Sequence, residues 1–152
     1  METVALLKCT DYEVENIERK LREGFELLGG ESFLRELIPA NSRVLLKPNF
    51  LSAVEKGSPV ITHCAVFEAV IRIIKDYSSS ISFGDSPGTD SPAKAAERSG
   101  FMEVAGRYGV KSADFAIYGI VARSAQGTSC VPPIVVEAAS LSPHFFHPRN
   151  KE

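Results

Sequence analysis

Cysteine is scarce and poorly spaced for metal work. Cys9, Cys64 and Cys130 are the only three, and no CxxC occurs. The usual structural zinc and iron–sulfur spacings are therefore absent. A scattered, odd-numbered set suits a reducing compartment, so the expected location is cytoplasmic. A basic excess is also missing: Lys plus Arg number 17 against 19 for Asp plus Glu, a net charge of −2. Nothing there calls for nucleic acid or an anionic membrane as partner. No apolar run is long enough to span a bilayer, so a membrane partner is not expected. Residues 1–8 have no basic stretch leading into a long apolar run, so no signal peptide is expected. The spacings GxGxxG and GxxxxGK[ST] are missing too, which excludes those dinucleotide and P-loop signatures. There is no internal repeat.

What remains is globular composition. Of 152 residues, 44% are hydrophobic and 24% charged, which excludes a wholly disordered chain. The length fits one ordinary domain or a piece of a larger protein. It is enough to bury a core without a disulfide or metal staple.

The pattern along the chain alternates strands and helices. Val4 to Cys9 is a short apolar run, read as a first strand. Asp11 is placed as an N-cap. Val14, Ile17, Leu21, Phe25 and Leu28 then recur at helical steps, and Gly29-Gly30 closes that helix. Ser32 to Leu37 adds a helical turn. Arg43 to Lys47 is the second strand, stopped by Pro48. Thr62 is placed as the next N-cap, followed by an apolar face of Val66, Ala69, Val70, Ile73, Ile74 and Tyr77. Ser80 to Phe83 is the third strand. Ser91-Pro92 opens another helix, Gly100 ends it, and Phe101 to Tyr108 forms one more before Gly109. Asp114 to Tyr118 is read as a fourth strand.

This β-α-β order predicts an α/β fold: three layers, a mostly parallel sheet flanked by helices, Rossmann-like in order and apparently incomplete. Residues 1–120 are expected to form the α/β domain. Residues 121–152 carry Pro132, Pro133, Pro143 and Pro148 among many Ser and Ala. They are expected to form a poorly ordered tail, with a brief strand near Ile134 to Val136.

Ligands in such folds bind at the carboxyl ends of the strands, which directs attention to three segments. In the first, Lys47 at a strand end suits a phosphate or carboxylate, or acts as a base if desolvated, and Asn49 adds a two-sided hydrogen-bonding group. The plain alternative is a lysine that lays its stem along the surface before a turn. In the second, Thr62-His63 opens a helix, where N–H groups and the dipole attract anions and His63 can transfer a proton. The alternative is simple capping. In the third, Gly84-Asp85-Ser86-Pro87-Gly88-Thr89-Asp90-Ser91 follows a strand. There Asp85 can bind a metal, accept a sugar hydroxyl or serve as a base, with Ser86 and Thr89 adding donors; the alternative is a self-capping turn. Cys64 reads as a small helix residue rather than a nucleophile. His144 and His147 lack a supporting carboxylate nearby in sequence.

Together, VLLKPNFLSAVEKGSPVITHCAVFEAVIRIIKDY and SISFGDSPGTDS resemble the N-terminal part of the domain-of-unknown-function 362 family. The likeness covers about Val4 to Tyr118. By position, Lys47 and Asn49 match the family's Lys-Pro-Asn element. Thr62 and His63 match its Thr-His-Pro helix start, with Cys64 in place of the proline. Gly84, Asp85, Ser86 and Gly88 match its Gly-Asp-Ser loop. The resemblance implies no settled reaction. It implies an iron–sulfur segment in many members, which this sequence lacks, and a further C-terminal region.

Three readings follow. The leading one is an α/β protein binding a small anionic metabolite at the sheet edge. Asp85, His63 and Lys47 would be its catalytic candidates, and Asn49, Thr62, Gly84, Ser86 and Gly88 its ligand-binding ones. The others are a truncated remnant without activity of its own, and part of an iron–sulfur redox system whose cluster lies elsewhere. Enzymatic activity is left open, as is the cofactor, because a single carboxylate does not specify a divalent ion. A half-length sheet would invite self-association or call for a missing C-terminal half.

Overall fold

The fold is α/β, seen in a computed structural model that describes residues 3–113 and the backbone of 134–138. The elements run α1 (Val14–Leu27), α2 (Gly30–Leu37), β1 (Arg43–Pro48), α3 (Cys64–Ile74), β2 (Ser80–Phe83), α4 (Pro92–Arg98), α5 (Phe101–Tyr108), β3 (Lys111–Ser112) and β4 (Ile134–Ala138). The four strands lie in the order β3-β2-β1-β4, and every neighbouring pair is parallel. Val44 and Leu46 stand opposite Ile81 and Phe83.

Alternation along the strands decides what packs where. Val44, Leu46, Ile81 and Phe83 are buried, and Leu45, Lys47 and Ser82 between them are half-buried. The buried set joins Phe67, Ile71 and Ile74 of α3, Ala95 and Ala96 of α4, and Phe101 and Val104 of α5 in one cluster. Its centre is aromatic. Phe67 stands edge-on to Phe101 with centroids 5.1 Å apart, and Phe83 lies 5.1 Å from Phe67, within the range where ring pairs add to area burial.

Helix α3 is apolar on two sides. Phe67, Ile71 and Ile74 face the sheet cluster, while Ala65 and Ala69 meet Ile17 of α1. Arg72 pairs with Glu15 at 3.0 Å and Arg22 with Asp76 at 2.9 Å. Ile17, early in α1, meets Ala65 and Ala69 in the first half of α3, while Arg22, further along α1, meets Asp76 just past the end of α3. The two helices run side by side in the same direction. Glu68, buried, anchors the opposite flank. It accepts from the Tyr108 hydroxyl at 2.7 Å and from Arg107 at 2.7 Å, and Arg72 approaches it at 3.3 Å. A buried carboxylate needs such partners, because unpaired it would carry a full desolvation cost.

Three expectations are corrected. The run at residues 4–9 forms no strand, and Val4 and Leu6 are 87% and 92% exposed. A short apolar run does not by itself distinguish a strand from a segment laid on a helix. Here Leu7 settles on Gly24 of α1, where a β-carbon would come within 2.8 Å of the leucine. Thr62 is not the cap of α3. His63 is, its side chain accepting from the Ala65 N–H. Asp11 lies outside the Glu13 N-cap position, yet its carboxylate accepts from the Glu13 N–H at 3.0 Å. The strand next to β2 is Lys111–Ser112, and the strand expected at residues 114–118 lies outside the described residues. So do His144, His147 and, apart from residues 134–138, the tail expected over residues 121–152. The brief strand near Ile134 is present as β4, paired with β1.

Phe101 joins α5 to both the sheet and α3. Phe101→Ala is expected to cost about 3–5 kcal/mol, measured by denaturant unfolding with an unchanged m-value.

Candidate functional site

Strands β1 and β2 end level with one another, so their following loops leave from one edge of the sheet. The Gly84 N–H continues the ladder by donating to the Leu46 carbonyl at 3.0 Å. The next residue, Asp85, is buried and ties the two loops. One carboxylate oxygen lies 3.3 Å from the Lys47 ammonium. The other accepts from the Phe50 N–H at 3.0 Å. Further out, the Gly88 N–H donates to the Leu51 carbonyl at 3.4 Å. The Ala53 N–H donates to Asp90 at 2.9 Å. That bond, with Lys94 beside it, holds the Asp90 carboxyl below its usual range. Two aspartates of one loop therefore each take a backbone N–H of the other.

The loop after β1 also closes on itself. The Asn49 N–H donates to the Thr62 hydroxyl at 2.9 Å, and the Thr62 N–H donates back to the Asn49 carbonyl at 2.8 Å. Phe50 and Ile61 form an antiparallel bridge beyond them. Thr62 is fully buried, so its hydroxyl fastens the two ends of the loop.

His63 caps α3 with Nδ1, 3.2 Å from the Ala65 nitrogen. Its ring lies against Tyr12, centroids 3.9 Å apart and planes 27° apart. Burial, and then the nearby Lys56, lower its pKa from the ordinary 6.5. Cys64 donates its thiol to the Ser99 carbonyl at 2.8 Å, and burial pushes that thiol up. An enclosed, raised thiol is a poor nucleophile, so this residue is packing where the family resemblance expects proline. Gly100 makes room for it. Its φ of +85° excludes most other residues, and a β-carbon there would lie 3.3 Å from the Cys64 sulfur.

The structure thus joins Lys47, Asn49, Thr62, Gly84 and Asp85 in one connected set, with His63 adjoining through Thr62. Ser86 and Gly88 sit exposed on the outer part of the second loop. Two residues were given no role from the sequence. Asp90 had a signal, an acidic residue directly before the Ser91-Pro92 helix start. Tyr12 had none, because its contact with His63 depends on how α1 lies beside α3. Among the described residues, no group of three His, Cys, Asp or Glu side chains is placed to hold a metal ion.

These loops carry the motifs of a known family, whose profile, described as a domain of unknown function (DUF362), matches residues 44–137. The chain belongs to that family. The match runs from β1 into β4 and includes Lys47, Asn49, Thr62, His63 and Asp85. A thylakoid-associated protein of Synechocystis is 32% identical over 102 residues, covering 67% of this chain and 31% of that protein. The chain thus spans less than a third of that relative's length. No solved structure gives a significant match. Among the described residues, no helix is long and apolar enough to cross a membrane.

Asp85→Ala leaves the Phe50 N–H without its acceptor and the loops without their tie. A loss of about 1–3 kcal/mol is expected, with faster amide exchange at Phe50. The histidine gives a pH effect. Its folded pKa lies below the ordinary value, so the unfolded chain binds the proton more readily. Stability from His63 is present above the unfolded pKa and lost as pH falls through the folded one. Thermal melts between about pH 8 and about pH 5 should show this fall. His63→Asn, which keeps a capping acceptor but does not titrate, should flatten that part of the curve.

Proposed function

We propose that the edge formed by the β1 and β2 loops binds a small anionic metabolite, with Lys47 as its charge partner. The observation that carries this reading is the unequal exposure of the Lys47–Asp85 pair. The carboxylate side chain is 10% exposed and turned to the loop backbone, while the lysine side chain is 32% exposed at the strand tip. Asp85 fixes where the ammonium sits, and the ammonium supplies the positive charge. Asn49 and Ser86, both exposed on the loops that leave this edge, orient the ligand. Gly84, buried, sets where the second loop begins, and Gly88 keeps its outer backbone approachable; a β-carbon at Gly88 would meet nothing within 4 Å. Thr62 holds the loop in shape, and His63 adds a polar group at the start of α3. A role for Asp85 as base or metal ligand is the less favoured part of this reading. It would require the carboxylate to release Lys47 or the Phe50 N–H.

Calorimetric titration with inorganic phosphate and a panel of small carboxylates is the test. Wild type should bind at least one of them. Lys47→Met should lose that binding while still unfolding in one cooperative transition. Equal binding by Lys47→Met, or no binding by wild type, would overturn the proposal.

A further inference from the structure

The ring of His63 is held from two sides by residues of different elements. From below, the Ala65 N–H points at Nδ1. An imidazole nitrogen that accepts a hydrogen bond carries no proton, so in the neutral ring the proton is on Nε2. From the side, Tyr12 lies face to face with the ring at 3.9 Å. Tyr12 follows a residue that is tied to the start of α1. The neighbouring Asp11 carboxylate accepts from the Glu13 N–H and from the Asn16 side chain at the start of α1. Helix α1 runs alongside α3 in the same direction through Ile17, Ala65 and Ala69. Tyr12, two residues before α1, therefore meets His63, the residue just before α3. A flat aromatic contact restricts rotation about the histidine side chain in a way that an aliphatic neighbour would not.

We propose that Tyr12 is a positioning residue for His63: it locks the ring in the one orientation that accepts from Ala65, and so fixes the neutral, Nε2-protonated tautomer. His63 then offers a hydrogen-bond donor rather than a base. For the anionic ligand proposed above, on which this last step rests, the matching group is an oxyanion, such as a phosphate or carboxylate oxygen. His63 would contact it as a neutral donor while Lys47 carries the charge. The N-terminal segment, which the family match does not reach, thereby becomes part of the site.

Tautomer and orientation are read without any ligand, from the imidazole nitrogen shifts of the full chain in long-range proton–nitrogen NMR spectra. Wild type should show His63 with Nδ1 unprotonated and Nε2 protonated. Tyr12→Phe, which keeps the ring, should show the same shifts. Tyr12→Leu, which keeps an apolar body of similar bulk, should shift both nitrogens toward averaged values and raise the His63 titration midpoint toward the ordinary value. A wild-type ring protonated on Nδ1 would overturn the proposal. So would a Tyr12→Leu protein whose His63 shifts and midpoint match wild type. Failure of phosphate to bind wild type would instead count against the ligand reading alone, because the tautomer measurement does not involve it.

Discussion

Everything at the sheet edge depends on one buried carboxylate. Asp85 stands where β2 ends and meets both the Lys47 ammonium and the Phe50 N–H of the neighbouring loop. Parallel strands deliver two separate loops to the same edge, but nothing in the ladder itself keeps those loops together once the strands stop. A backbone N–H in an enclosed place needs an acceptor. Asp85 supplies it, and Asp90 does the same at Ala53. The loop after β1 is therefore shaped by acidic side chains from the loop after β2. Lys47 is oriented by the same carboxylate that shapes the loop, so charge placement and loop structure cannot be varied independently at this position.

Helix α3 links that edge to the rest of the molecule. One of its sides covers the sheet through Phe67, Ile71 and Ile74, and another supports α1 through Ala65 and Ala69. Small residues toward α1 allow close approach, and large ones toward the sheet fill the core. Glu68 fastens the remaining side to α5 through Arg107 and Tyr108. With α3 held on three sides, its first turn is a fixed platform. Thr62, His63 and Cys64 are then used in three directions: Thr62 to close the β1 loop, His63 to cap the helix and stack on Tyr12, and Cys64 to pack against Ser99.

Much of this was legible in the chain. Helical periodicity located α1 and α3, and Ser91-Pro92 marked the start of α4 as it was found. The β2 span and the α5 span also agree with the reading from residues alone. Each of these signals is local. The misses have a common cause. Residues 4–9 carry a strand-like apolar run, yet their neighbour is a glycine on α1, and sequence does not say which surface a short apolar run will meet. Thr62 and His63 are both sound capping candidates. The choice between them was made by Asn49, whose N–H already occupies the threonine hydroxyl.

The sequence by itself determined the α/β class, the family, and the three polar segments that gather at one sheet edge. Local periodicity, glycine and proline positions, and motif order carry that information without reference to distant residues. Only the tertiary structure decided how those segments divide their work. Asp85 faces the loop backbone, Thr62 is enclosed, and His63 is a cap held by Tyr12. The physical reason is that a polar side chain takes its role from the partner that satisfies it. Here those partners lie on other elements, brought near by the parallel pairing of β1 with β2 and the side-by-side course of α1 and α3.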